Sequence, residues 1–200
     1  MYIKSFIFII INSIEPSLYM LKNNITYQRA KTTEELHQIL ALQQKNLSQH
    51  LSAEDKETEG FVTVKHSFDI LKQMNDVCPH IIAKQHNDVI GYALCMTKDF
   101  KSKILILIPM FNEFESIISS ETNYIAMGQI CVDKNARGQG VFRGLYRFMA
   151  QELKSNYNTI LTEVDVKNTR SLNAHKAVGF KQLKTYTSNN QTWEIIGLDI

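Results

Sequence analysis

The sequence predicts a single domain of mixed α/β class, and three observations carry that prediction. Two strand-like runs, His80 to Lys84 and Val89 to Met96, flank the polar turn Gln85-His86-Asn87-Asp88, the pattern of an antiparallel hairpin. Further on, Tyr124 to Val132, Val141 to Lys154 and Thr159 to Val166 read as strand, helix and strand, a β-α-β crossover. Other segments carry apolar residues at helical spacing. Antiparallel pairing early and a crossover late make the sheet mixed, flanked by helices.

In chain order, Ile25 to Ala30 alternates weakly and reads as the first strand. A helix follows, opened by Thr32-x-x-Glu35, a capping-box pattern, with Leu36, Ile39, Leu40, Leu47 and Leu51 along one face. The stretch SAEDKETEG is a polar loop, and Ser67 to Asn75 is a short helix with Phe68, Leu71 and Met74 inward. After the hairpin comes an insert, Thr97 to Asn123, holding the apolar run Ile104 to Phe111. It reads either as an added strand and helix covering the sheet, or as an acceptor-site wall or homodimer surface. In the long helix Val141, Leu145, Phe148 and Met149 face inward. Ser171 to Val178 is a short helix stopped by Gly179, and Phe180 to Tyr186 and Trp193 to Leu198 close the chain as strands around Ser188-Asn189-Asn190.

Composition narrows the function. The 200 residues are 44% hydrophobic and 21% charged, ordinary for a globular chain. A net charge of +2 with scattered Lys and Arg argues against nucleic acid. Cys78, Cys95 and Cys131 lie far apart and form no C-x-x-C pair, so neither disulfide framework nor zinc site is expected. The six histidines lack ligand spacing, and no metal is predicted. Phe6 to Ile11 behind Lys4 imitates a signal peptide but is too short to span a bilayer and has no small-x-small cleavage site after it. Residues 1–22 are therefore expected to be an extension outside a domain of residues 23–200, in a cytoplasmic protein with no membrane association.

The sharpest chemistry lies between the strand ending at Val132 and the helix starting near Gly140. Asn135-Ala136-Arg137-Gly138-Gln139-Gly140 puts two glycines where the backbone must bend so that successive N–H groups share one concavity. The helix N-terminus adds unsatisfied donors and partial positive charge, which suits a pyrophosphate, and Arg137 adds a cation. A Walker A loop is absent, and Gly144 comes one residue too late for a Rossmann turn.

This block resembles the pyrophosphate loop of the GCN5-related N-acetyltransferases, Gln/Arg-x-x-Gly-x-Gly/Ala, with Asn135 replacing the usual first residue. A second block, Asn168 to Phe180, is similar to that family's Asn-x-x-Ala…Tyr…Gly-Phe segment. The resemblance implies an acyl-CoA N-acyltransferase fold and acetyl-CoA as co-substrate, with the acetyl group passing to an amine by direct attack. It implies that Ile130, Cys131 and Val132 pair with the pantetheine arm. Arg137, Gly138, Gln139, Gly140, Val141 and Phe142 would hold the pyrophosphate, and Asn168 would meet the arm or cap its helix. Where the family places a tyrosine acid, this chain has His175, whose imidazolium could protonate the thiolate. For the base, Glu163 is the candidate, on a strand where it shares a face with Asp165; Gln129 could position a water or substrate. The alternatives are a transferase for a different acyl group and a non-catalytic CoA-binding regulatory module.

Overall fold

A computed structural model describes residues 24–50, 52, 54 and 61–200. The expected extension, Leu51 and most of the SAEDKETEG loop lie outside these residues. Seven strands form one sheet: β1 (Ile25–Arg29), β2 (Ile81–Gln85), β3 (Asp88–Met96), β4 (Tyr124–Val132), β5 (Thr159–Asp165), β6 (Lys181–Ser188) and β7 (Gln191–Asp199). Their spatial order is β1-β2-β3-β4-β5-β7-β6, antiparallel everywhere except between β4 and β5. The β6–β7 hairpin turns at Asn189 and Asn190, both at positive φ, as asparagine tolerates.

Alternation along β3 divides the core. Tyr92, Leu94 and Met96 face α1 (Thr33–Asn46), α2 (Phe68–Val77) and α3 (Ile108–Ile117); Ala93 and Cys95 face α4 (Val141–Leu153). The fifth helix, α5 (Thr169–Val178), packs beside α4. The capping box of α1 is formed, Thr32 Oγ1 accepting from Glu35 N at 3.2 Å and Glu35 Oε2 from Thr32 N at 3.1 Å.

Two expectations change. Helix α1 ends at Asn46, so Leu47 leaves it and instead bridges Val62. The insert has a helix but no strand: Leu105–Leu107 is a 3₁₀ turn and α3 follows at once, with proline in its first turn, where a missing N–H costs nothing.

Two features of β4 shape the site. Its parallel pairing with β5 stops after Tyr124↔Thr159, Ile125↔Ile160 and Ala126↔Leu161, with one further tie from Thr162 Oγ1 to Met127 O at 2.9 Å. Beyond that the strands part. Against β3, the register runs from Cys95↔Met127 to Ala93↔Ile130, so Leu94 faces both Gly128 and Gln129, a bulge.

Candidate active site

Where β4 and β5 separate, a cleft of about 400 Å³ opens between the end of β4, the 137–140 turn and α5. Gly138 and Gly140 bend the turn at φ 73° and 80°, and a Cβ at either would meet nothing within 4 Å. The turn therefore presents backbone to open space. Helix α4 begins at Gly140 without a side-chain cap, leaving its first N–H groups for a ligand. Ile130, Cys131, Val132, Val141 and Phe142 line this cleft, with Arg143 and Arg170 adding to Arg137 as cations. Among the residues proposed for the cofactor, Gln139 is apart: its side chain folds back, Nε2 donating to Asn135 O at 2.9 Å.

Arg137 and Asn168 line the cleft but are also structural. The Arg137 guanidinium donates to Val132 O (3.2 Å) and to Asn46 Oδ1 (2.8 Å), tying the turn to the end of α1. Asn168 caps α5 by accepting from Ser171 N at 3.2 Å and donates to Phe61 O at 3.0 Å. Cys131 is pushed up to about 12 by burial, so its thiol is protonated at neutral pH and is no nucleophile.

A smaller cleft of about 70 Å³ continues inward, sharing Ile130, Asn168 and Ser171 with the first. Segment 61–64, the β4 bulge, β5 and Trp193 enclose it. The segment is held by a buried network: Gln129 Nε2 donates to Val64 O (2.8 Å), while Gln129 Oε1 accepts from Gln43 (2.8 Å) and Tyr92 (2.6 Å). Gln129 thus braces the wall of the inner cleft. Glu163 faces this inner cleft and accepts from the Tyr186 hydroxyl. Burial raises its carboxyl from 4.5 to about 7, against the opposing pull of that hydrogen bond. Asp165, expected on the same face, is occupied by Lys167 N (2.9 Å) and Gln191 Nε2 (2.6 Å).

His175 does not have the form expected of an acid. Its Nδ1 lies 2.7 Å from the carbonyl oxygen of Ser171, which can only accept, so that nitrogen carries the proton. Nε2 then accepts from the Tyr146 hydroxyl at 2.7 Å. The ring is packed edge-on against Phe142, Tyr146 and Phe180, and burial lowers it to about 4. The one proton of this neutral imidazole is donated to Ser171 O and its other nitrogen accepts from Tyr146, so the ring joins α4 to α5.

The residues from 36 to 180 match the family model described as the acetyltransferase (GNAT) family. The chain belongs to this family. Solved structures agree on the GNAT fold: an N-acetyltransferase from Staphylococcus aureus Mu50 (20% identity, TM-score 0.59, 88% of this chain and 98% of that one); the ribosomal-protein-S18-alanine N-acetyltransferase from Escherichia coli (16%, 0.58, 88% and 94%); and a chain of the NatC complex bound to Gag peptide and CoA (16%, 0.61, 88% and 98%). No curated protein sequence matches this one significantly. Among the described residues, no helix is long and apolar enough to cross a membrane, and no group of three His, Cys, Asp or Glu gathers as a metal site.

Sequence reasoning missed Asn46, Phe61, Ser171 and Tyr186. Asn46 had a signal: it lies seven residues after Ile39 and four after Leu42, on the buried stripe of α1. Phe61 and Tyr186 had none, since only the fold brings them to the site.

Proposed function

We propose that this GNAT protein transfers an acetyl group from acetyl-CoA to a primary amine by direct attack, with Glu163 as the base. The observation that carries the reading is the junction of the two clefts, with a buried carboxyl near 7 in the inner one. The outer cleft fits the co-substrate by its chemistry. Glycine backbone, uncapped helix N–H groups and three arginines suit a pyrophosphate, and the β4 edge left by β5 suits an extended arm bearing amides. A Salmonella typhimurium relative solved with acetyl-CoA, at 12% identity and TM-score 0.58, supports the same choice.

An alkyl ammonium with a pKa near 10.4 must lose a proton before it can attack. A carboxyl held near 7 is better matched to that transfer at neutral pH than one at 4.5. Backbone N–H groups around the Gly128–Gln129 bulge are the candidate donors to the oxyanion. A thiol of pKa near 8.5 leaves readily as thiolate, so the reaction tolerates a neutral His175.

The test pairs calorimetric titration of acetyl-CoA with thiol release over a panel of amines. Binding with amine-dependent thiol release is expected. Binding without turnover on any amine would replace the enzyme by a CoA-binding module, and no binding would remove both readings.

A further inference from the structure

Five residues border both clefts: Phe61, Val62, Ile130, Asn168 and Ser171. With the pantetheine arm in the outer cleft and the amine in the inner one, the bond that breaks lies at this junction. Only Asn168 and Ser171 bring polar side chains to it. Asn168 is committed to the fold, its amide oxygen accepting from Ser171 N at 3.2 Å and its nitrogen donating to Phe61 O at 3.0 Å. Ser171 carries the one hydroxyl among the five, on the first turn of α5, and is only partly buried.

The hydrogen atoms at this turn can be assigned. His175 Nδ1 carries a proton, and it lies 2.7 Å from Ser171 O and 3.3 Å from Ser171 Oγ. Toward a nitrogen that donates, Oγ can only accept, so the hydroxyl's own hydrogen is left to be donated away from the ring. The histidine at the motif's acid position therefore backs a serine one turn earlier that reaches both clefts. The position also suits an anion, because the first turn of a helix carries partial positive charge.

We propose that Ser171 is a catalytic residue whose hydroxyl donates a hydrogen bond to the departing CoA sulfur. The inference rests on the acyl-transfer reading above. As the C–N bond forms, the amine's proton passes to the Glu163 carboxylate. As the C–S bond breaks, its electron pair goes to sulfur, and CoA leaves as a thiolate. Ser171 keeps its proton throughout and shares it with that sulfur, a donor already in place where the charge develops. No acid of matched pKa is needed, which fits a neutral His175.

Two readouts test this on the folded full chain. Ser171→Ala removes the hydroxyl but keeps the backbone N–H that Asn168 caps. The first follows the thiol of bound CoA by the ultraviolet absorbance of its thiolate, as a difference against unliganded protein. Its acid dissociation constant should be about 10–100-fold greater in the parent than in Ser171→Ala, the reach of a hydrogen bond to a charged group. Ser171→Thr, which keeps a hydroxyl, should restore it. Equal constants in parent and Ser171→Ala would overturn the proposal. The second is turnover with acetyl-CoA and an accepted amine. The Ser171→Ala rate should fall by the same about 10–100-fold, with calorimetric affinity for acetyl-CoA unchanged and the rise in rate near pH 7 retained. A full rate in Ser171→Ala would overturn this role alone. A parent chain that turns over no amine would overturn the acyl-transfer reading, and this role with it.

Discussion

The outer cleft presents the backbone of one glycine turn, with guanidinium groups from that turn and the helices beside it, among apolar walls, whereas the inner cleft is walled by side chains from segment 61–64, β4, β5, α5 and β7. The difference follows from what each would do in the proposed reaction. A polyanion is held by many donors and a helix dipole, which a glycine turn supplies in consecutive residues. A base needs one carboxyl with a displaced pKa, and displacement comes from whatever surrounds it. Glu163 owes its value near 7 to burial by elements distant in sequence. The glycine turn of the outer cleft is thus a local property of the chain, and the inner cleft a property of the assembled fold.

Replacing Glu163 by Gln should divide the clefts most sharply. Turnover should fall by about 10²–10⁴-fold, the usual reach of a general base, while calorimetry finds acetyl-CoA affinity unchanged. In the parent protein the rate should rise as pH passes about 7, and this limb should vanish in the variant. A parallel loss of affinity would mean the clefts are not separable. The same carboxyl affects stability with the opposite sign. Its folded value near 7 exceeds the reference 4.5, so the stability it contributes is complete below about 4.5 and lost as pH rises through 7.

Gly138→Asp strikes the other cleft. A carboxylate in the cradle repels phosphate, and φ 73° disfavours a side chain. Acetyl-CoA affinity should drop about 100-fold, the loss of one or two charge-assisted hydrogen bonds, with the circular dichroism spectrum intact. Gly144→Ala should sort the third glycine away from the cradle. A Cβ there would come within 2.1 Å of the Tyr27 ring, so the change should cost about 1–3 kcal/mol in denaturant titration while the folded fraction binds acetyl-CoA normally. The smallest effect is expected from Tyr186→Phe. Losing the hydroxyl that lowers Glu163 should move the rate's pH limb upward, with activity recovered at higher pH. An unmoved limb would detach Tyr186 from the base.

The same division explains what could be read from the sequence. The order of strands, the capping box of α1 and the glycine turn depend on neighbours within a few residues, so they were legible. Glu163 was placed by simple alternation, but its burial was not, because Tyr186 and Trp193 arrive from strands not yet made. His175 had the right position in its motif and the wrong protonation: Tyr146, 29 residues earlier, occupies its second nitrogen. The apolar run in the insert reads as strand until the helix-starting proline and the turn before it are seen in place.

Strands β4 and β5 share only three rungs before they diverge. A sheet interrupted in this way keeps a vacant lane in its own lattice, and a guest that enters the lane is recognised by spacing rather than by side-chain identity. Ile130 and Cys131 can therefore drift to other residues of similar bulk without erasing the lane. The freedom of this surface then lies in its side chains, while the hydrogen-bonding edge that the proposed amide-bearing arm would use belongs to the backbone.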